Sequence, residues 1–194
     1  TIGTGVTDFG WETFSGCTKL AEINYNAKAA ADLKARYDTG LTAHYPDVFK
    51  DAGTSVGGVR VKIGDGVERI PAYIFKDCTG LTGSVTIPNS VTDIGWYAFA
   101  DCTGLTGVTL GGNVTKIEER AFNNCTGLTS IVFPDSVTDI GNWAFAGCTG
   151  LTNVKVPGRV TSISEGVFAN CTGLTDAVIP DGVTSVGERA FSGC

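Results

Sequence analysis

Seven cysteines, Cys17, Cys78, Cys102, Cys125, Cys148, Cys171 and Cys194, fall on one beat along a 194-residue chain, and the last five intervals are 24, 23, 23, 23 and 23 residues. Each has a Phe three residues before it, and the first six have a Leu three residues after. A period of this length points to stacked units rather than a single globular core. One such unit cannot enclose its own apolar side chains. A stack can, because each inward residue sits on its equivalent in the next unit.

Two periodicities coexist within a unit. Ile131-Val132-Phe133 alternates inward and outward, as a short strand does. Pro134 then ends the pairing, because proline has no N–H to give to a ladder. Val137-Thr138-Asp139-Ile140 offers a second short strand with a bend between its two apolar residues. Ile140, Ala144, Phe145 and Cys148 are spaced as one face of a helical turn. The combination predicts an α/β repeat solenoid, a right-handed coil of ~23-residue units with short parallel strands and one short helical segment per unit.

Eight coils are expected over residues 1–194, the first incomplete. The frame is disturbed early. Phe49-Lys50-Asp51-Ala52 is a unit whose cysteine has become Ala52. The 24-residue interval after Cys78 predicts a one-residue bulge at Gly83 or Ser84. A non-repeat insertion falls at residues 26–45, and its run AKAAADLKARY over 27–37 predicts a helix docked on the flank. Both ends fall in mid-unit without a polar cap, so the chain is expected to be part of a longer protein.

The chemistry-bearing residues are few. All seven cysteines share the phase of a core residue, which predicts free, buried thiols. Equivalent side chains in stacked coils point the same way, so neighbouring cysteines do not face each other as a disulfide needs. No C-x-x-C pair is present, so no zinc site is assigned. His44 is the only imidazole, and no accessible cysteine is expected beside it. Asp65, Asp135 and Asp181 share a turn phase, but Gly112 and Gly158 interrupt it and a calcium site needs several oxygens. No catalytic, cofactor or metal residue is therefore assigned. The net charge of −6 argues against nucleic acid and against an anionic membrane surface as partners. No run is long and apolar enough for direct membrane insertion.

What remains is surface. One outward residue per strand, Lys62, Thr86, Thr109, Val132, Lys155 and Val178, forms a candidate binding face, with Asn24 at its start. Glu22, Ser84, Gly107, Ser130, Asn153 and Asp176 form a second row. These positions vary while the core frame repeats. A binding surface would show that, and so would neutral drift at exposed positions. Tyr73, Tyr97 and Trp143 share a phase on another side, either as a contact strip or as a cover over apolar surface between coils.

The frame C-x-x-L-x-x-I-x-x-P-x-x-V-x-x-I-x-x-x-A-F-x-x-C, clear in Cys125 through Cys148, resembles the BspA-like, or Treponema-type, leucine-rich repeat of bacterial surface proteins. The resemblance covers nearly all of the chain outside the insertion. It implies a leucine-rich-repeat solenoid that is secreted or held at the cell surface. It also implies a non-enzymatic module for adhesion to a protein ligand, either a host matrix protein or a microbial surface protein. The alternative is a structural spacer with no ligand of its own.

Overall fold

A computed structural model describes residues 1–33, 36–37, 43–44 and 46–194. In chain order its strands are β1 (Glu22–Tyr25), β2 (Arg36–Tyr37), β3 (Ala43–His44), β4 (Arg60–Ile63), β5 (Arg69–Ile70), β6 (Gly83–Thr86) and β7 (Asp93–Ile94). Then come β8 (Leu105–Thr109), β9 (Lys116–Ile117), β10 (Ser130–Val132), β11 (Asp139–Ile140), β12 (Asn153–Lys155), β13 (Ser162–Ile163), β14 (Asp176–Val178) and β15 (Ser185–Val186). The longer strands pair in parallel as β1–β4, β6–β8–β10 and β12–β14. The two-residue strands form a second parallel side, β5–β7–β9–β11 and β13–β15. The result is a parallel β-solenoid of the leucine-rich-repeat type. The register between β6 and β8 shifts at Gly83/Ser84, where the 24-residue interval places its extra residue.

The third side departs from expectation. The Phe-containing segment is not helical in any coil, and no helix occurs among the described residues. The N–H groups of Tyr97, Phe99 and Asp101 donate to Glu119, Ala121 and Asn123 of the next coil, at 3.1, 2.8 and 2.8 Å. Those of Ala100 and Cys102 turn back three residues, to the Tyr97 and Phe99 carbonyls. Alternate amides therefore leave the segment, whereas a helix would keep them all. A left-handed residue sits at each end of the turn: Tyr97 (φ 53°) and Asp101 (φ 60°), Arg120 (55°) and Asn124 (56°), Trp143 (58°) and Gly147 (75°). Each non-glycine residue held there costs about 1–2 kcal/mol. The spacing i, i+4, i+5, i+8 is real, but it comes from a tight turn whose inward residues sit as a helix's would.

Inside, the aromatic rings form one column. Phe14, Phe49, Phe75, Phe99, Phe122, Phe145, Phe168 and Phe191 stack in sequence, with neighbouring centroids 5.0 to 5.8 Å apart. Phe49 keeps its place although its unit has Ala52 instead of cysteine, and Ala52 is itself fully buried. Among the described residues no polar or charged side chain is classed as buried. Gly127 is required by close approach. A Cβ there would lie 2.5 Å from the Thr103 carbonyl oxygen of the coil before it.

The cysteines are free, but not all are buried. Cys78, Cys102, Cys125, Cys148 and Cys171 are enclosed, whereas Cys17 and Cys194 are exposed. The core phase alone does not bury a thiol, because it must also be covered by coils on both sides. The thiols also do something their phase does not reveal. Cys102, Cys125, Cys148 and Cys171 each donate Sγ–H to the Phe carbonyl of the preceding coil, at 3.1 to 3.2 Å. Burial pushes Cys78 and Cys171 up to about 12, and raises Cys102, Cys125 and Cys148 for the same reason.

The expected helix over 27–37 does not form in the described residues 27–33. They complete a coil instead. Lys28 N–H donates to Thr4, the Lys28 carbonyl accepts from Glu68, and Ala31 N–H donates to Thr7. Ala27, Ala30 and Leu33 are buried, and Asp32 accepts from Ala72 N–H while pairing with Arg69 at 2.9 Å. Neighbouring coils hold the backbone of this segment on both sides, and that tertiary template overrides its helix propensity. Further on, β2 and β3 pair antiparallel, with Arg36 opposite His44. Residues 34–35, 38–42 and 45 of the expected insertion lie outside the described residues.

The column and the thiols can be tested separately. Phe122→Ala removes one ring from the middle of the stack and should destabilise by about 3–5 kcal/mol in urea unfolding. Cys125→Ala removes a small side chain and one weak hydrogen bond, and should cost about 1–2 kcal/mol. A chromogenic disulfide reagent at pH 8 should find two fast thiols in the native chain and seven after denaturation. The five buried thiols stay protonated in the folded chain well above 9, where those of the unfolded chain ionise. Stability should therefore be unaffected by them below pH 9 and fall above it, by about 1.4 kcal/mol per pH unit for each thiol. Cys125→Ala should reduce that slope by one thiol's share.

Candidate functional site

The strand-bearing side presents the candidate face. Thr86 in β6, Thr109 in β8, Val132 in β10, Lys155 in β12 and Val178 in β14 are exposed, as is Lys62 in β4. Val132 is 75% exposed, although β10 pairs with β8 along its length. Register places Asn24 beside Lys62, Thr86 beside Thr109, Thr109 beside Val132, and Lys155 beside Val178. In the second row Ser84, Gly107 and Ser130 are neighbours, as are Asn153 and Asp176.

That second row contains a residue the sequence reading passed over. Arg60 stands beside Glu22 in register and occupies the row's position in β4. The signal was present. Val59 and Val61 are the inward residues on either side of it, and an exposed residue between two inward ones belongs to the face. Glu22 does not pair with Arg60. Its carboxylate accepts from Asn24 at 2.8 Å and pairs with Lys62 at 3.0 Å. Asn24 first, then Lys62, with a smaller contribution from the nearby Arg60 charge, hold the Glu22 carboxyl below its usual value.

The rows are continuous within each sheet, but β4 and β6 are not paired along their length. A single bridge, Val59 to Leu81, joins the two coils there. Beyond that bridge a groove of about 930 Å³ opens. Arg60, Lys62, Ser84, Thr86 and Thr109 line it, over a floor that includes the buried Val61, Ile87 and Leu110. The structure thus gathers Lys62, Thr86 and Thr109 into one concavity. Val132, Lys155 and Val178 lie on the same side but outside it.

The aromatic phase lies on the turn side. Tyr73 and Tyr97 stack at 5.2 Å, and the Arg120 guanidinium covers Tyr97 at 5.5 Å from its centroid and donates to its hydroxyl. Trp143 lies against Gly166, where a Cβ would come within 2.4 Å of the indole. Tyr73 is buried, and Tyr97 and Trp143 are half-buried. The strip acts as a cover between coils. Among the described residues no group of three His, Cys, Asp or Glu side chains is placed to hold a metal ion, and no helix is long and apolar enough to cross a membrane.

Comparison with known proteins agrees with this architecture. Residues 60–194 match the BspA type leucine rich repeat region in six copies. A leucine-rich repeat protein from Bacteroides ovatus superposes with a TM-score of 0.70 at 26% identity, over 97% of this chain and 50% of that one. The Treponema pallidum leucine-rich repeat protein gives 0.57 at 26% identity, over 84% of this chain and 86% of that one. A leucine-rich cell surface protein from Faecalibacterium prausnitzii gives 0.64 at 33% identity, over 84% of this chain and 45% of that one. The chain spans about half the length of the first and third of these. No curated protein matches it. By its repeat and by the solenoid the repeat builds, the chain belongs to the BspA-type leucine-rich repeat family.

Proposed function

We propose that this chain is a non-enzymatic binding module of a bacterial cell-surface protein, and that it contacts a protein ligand through the outward rows of its longer strands. The carrying observation is the exposed outward residues over a repeating core: Thr86, Thr109 and Val132 in one register, Lys155 and Val178 in another, and Lys62 one coil before them. Side chains that the fold leaves unconstrained, spaced about 4.8 Å apart along the stack, make a surface that side-chain identity alone can tune. The cell-surface assignment is supported by the F. prausnitzii relative, which is described as a cell surface protein. Adhesion to a host matrix or microbial surface protein is the role that fits a module of this kind outside the cell. The segment at 36–44 is a second candidate contact element, because the solenoid does not need it and extra segments of this kind often carry function.

Binding of the immobilised chain to a panel of purified extracellular-matrix and bacterial surface proteins tests this reading. The triple variant Lys62→Ser, Val132→Ser, Lys155→Ser should unfold at the parental temperature, because all three residues are exposed. It should weaken a saturable interaction at least tenfold. A second variant replaces residues 36–44 with a short Gly-Ser linker and keeps Ala30 and Leu33, which are buried in the solenoid. Parental binding by both variants, or no saturable binding by the parent, would make the chain a spacer.

A further inference from the structure

We infer that the groove between β4 and β6 is a subsite for an acidic, extended segment of the partner protein, with Arg60 as its carboxylate anchor. This rests on the protein-binding reading above and narrows it to a place and a chemistry. The first support is the state of the cations. Among the described residues Lys28, Lys50, Lys62, Arg69, Lys76, Lys116 and Arg120 are all in ion pairs. Arg60 is in none, nor are Lys19, Lys155, Arg159 and Arg189, but of these only Arg60 lines the groove; it stands beside Glu22 in register, and Lys62 and Asn24 occupy that carboxylate. Asp65 is the only carboxylate lining the groove. A guanidinium presents paired donors that match a carboxylate in a planar fork, which makes it the natural anchor for Asp or Glu.

The hydroxyls give independent support. At other phases of the repeat, several threonine hydroxyls are bonded to the coil before them. Thr115 donates to the Thr92 carbonyl at 3.3 Å, Thr129 to Thr106 at 3.1 Å, Thr138 to Thr115 at 3.3 Å and Thr184 to Thr161 at 3.1 Å. No such bond is made by Ser84, Thr86 or Thr109, which stand in the groove. The Ser90 hydroxyl in the groove wall is buried and has no partner, whereas Ser136 at the same phase donates to the Val114 carbonyl at 2.6 Å. The groove therefore presents exposed hydroxyls with no intramolecular partner around an apolar floor. An extended peptide meets those demands together: its backbone amides and carbonyls pair with the hydroxyls, its apolar side chains cover the floor, and one acidic side chain reaches Arg60.

Panning a phage-displayed library of random dodecapeptides on the immobilised chain tests this. The enriched peptides should carry an excess of Asp and Glu over the input library. Arg60→Gln should weaken a representative synthetic peptide at least tenfold in fluorescence anisotropy, and Thr109→Val several-fold. Arg159→Gln, an exposed arginine outside the groove, should leave it unchanged, and all three variants should keep the parental unfolding temperature. The affinity should also fall as salt rises. No enrichment, enrichment without acidic excess, or parental affinity in Arg60→Gln overturns the subsite. A matrix-protein interaction lost in the Lys62/Val132/Lys155 triple variant but unchanged in Arg60→Gln keeps the binding face and removes the acidic groove. An interaction that neither variant changes removes both.

Discussion

From the Phe75 coil to the Phe168 coil, this solenoid sends alternate amides of its Phe turn to the next coil, and the rest of the structure depends on that division. Phe99, Phe122 and Phe145 N–H bond across coils at 2.8, 2.8 and 2.9 Å, on the side where no strands form. All three sides are thus tied by backbone bonds that run along the stack. Two left-handed residues per turn aim those amides outward, at a conformational cost the stack offsets. The Phe column and the Gly127 contact follow from the same geometry, because coils bonded this closely bring equivalent residues into van der Waals contact.

Much of this fold is legible in the primary structure because a repeat declares its own register. The strand at Ser130–Val132, the two-residue strand at Asp139–Ile140 and the bulge at Gly83 all follow from the cysteine beat and the alternation around it. The Phe turn was misread as helical because periodicity records which residues point inward, not where their amides go. The sign lay in Asp101, Asn124, Gly147 and Asn170, residue types that tolerate a left-handed backbone, recurring four residues after Tyr97, Arg120, Trp143 and Gly166. Residues 27–33 misled for a different reason. Their composition favours a helix, but strong local preference yields where neighbouring coils bond both sides of a segment.

The face was legible in position and not in depth. Alternation along a strand tells which residues point outward, so Thr109, Val132 and Lys155 could be assigned to the surface. It does not tell where two adjacent strands fail to pair. The groove lies where β4 and β6 are joined by one bridge instead of a ladder. Arg60 was missed because its unit lies beside the irregular region around Ala52, where the frame is hardest to follow. The repeat thus supplies a uniform scaffold, and the departures from it create the concavity.

The cysteine column carries a consequence for how such a chain matures. In the finished coil Cys102, Cys125, Cys148 and Cys171 each point along the stack at a carbonyl, out of reach of oxidants and of their neighbours. Before the coils close, the same seven sulfurs hang on an open polymer, where any two can meet. In an oxidising medium the chain is therefore in a race between closure of the stack and cross-linking of its loops. Short-range contacts favour closure, since from Cys78 onward each coil finds its partner 23 or 24 residues away. The architecture shields its reactive groups by the order of events during folding, and the period of the repeat sets how quickly that shield forms.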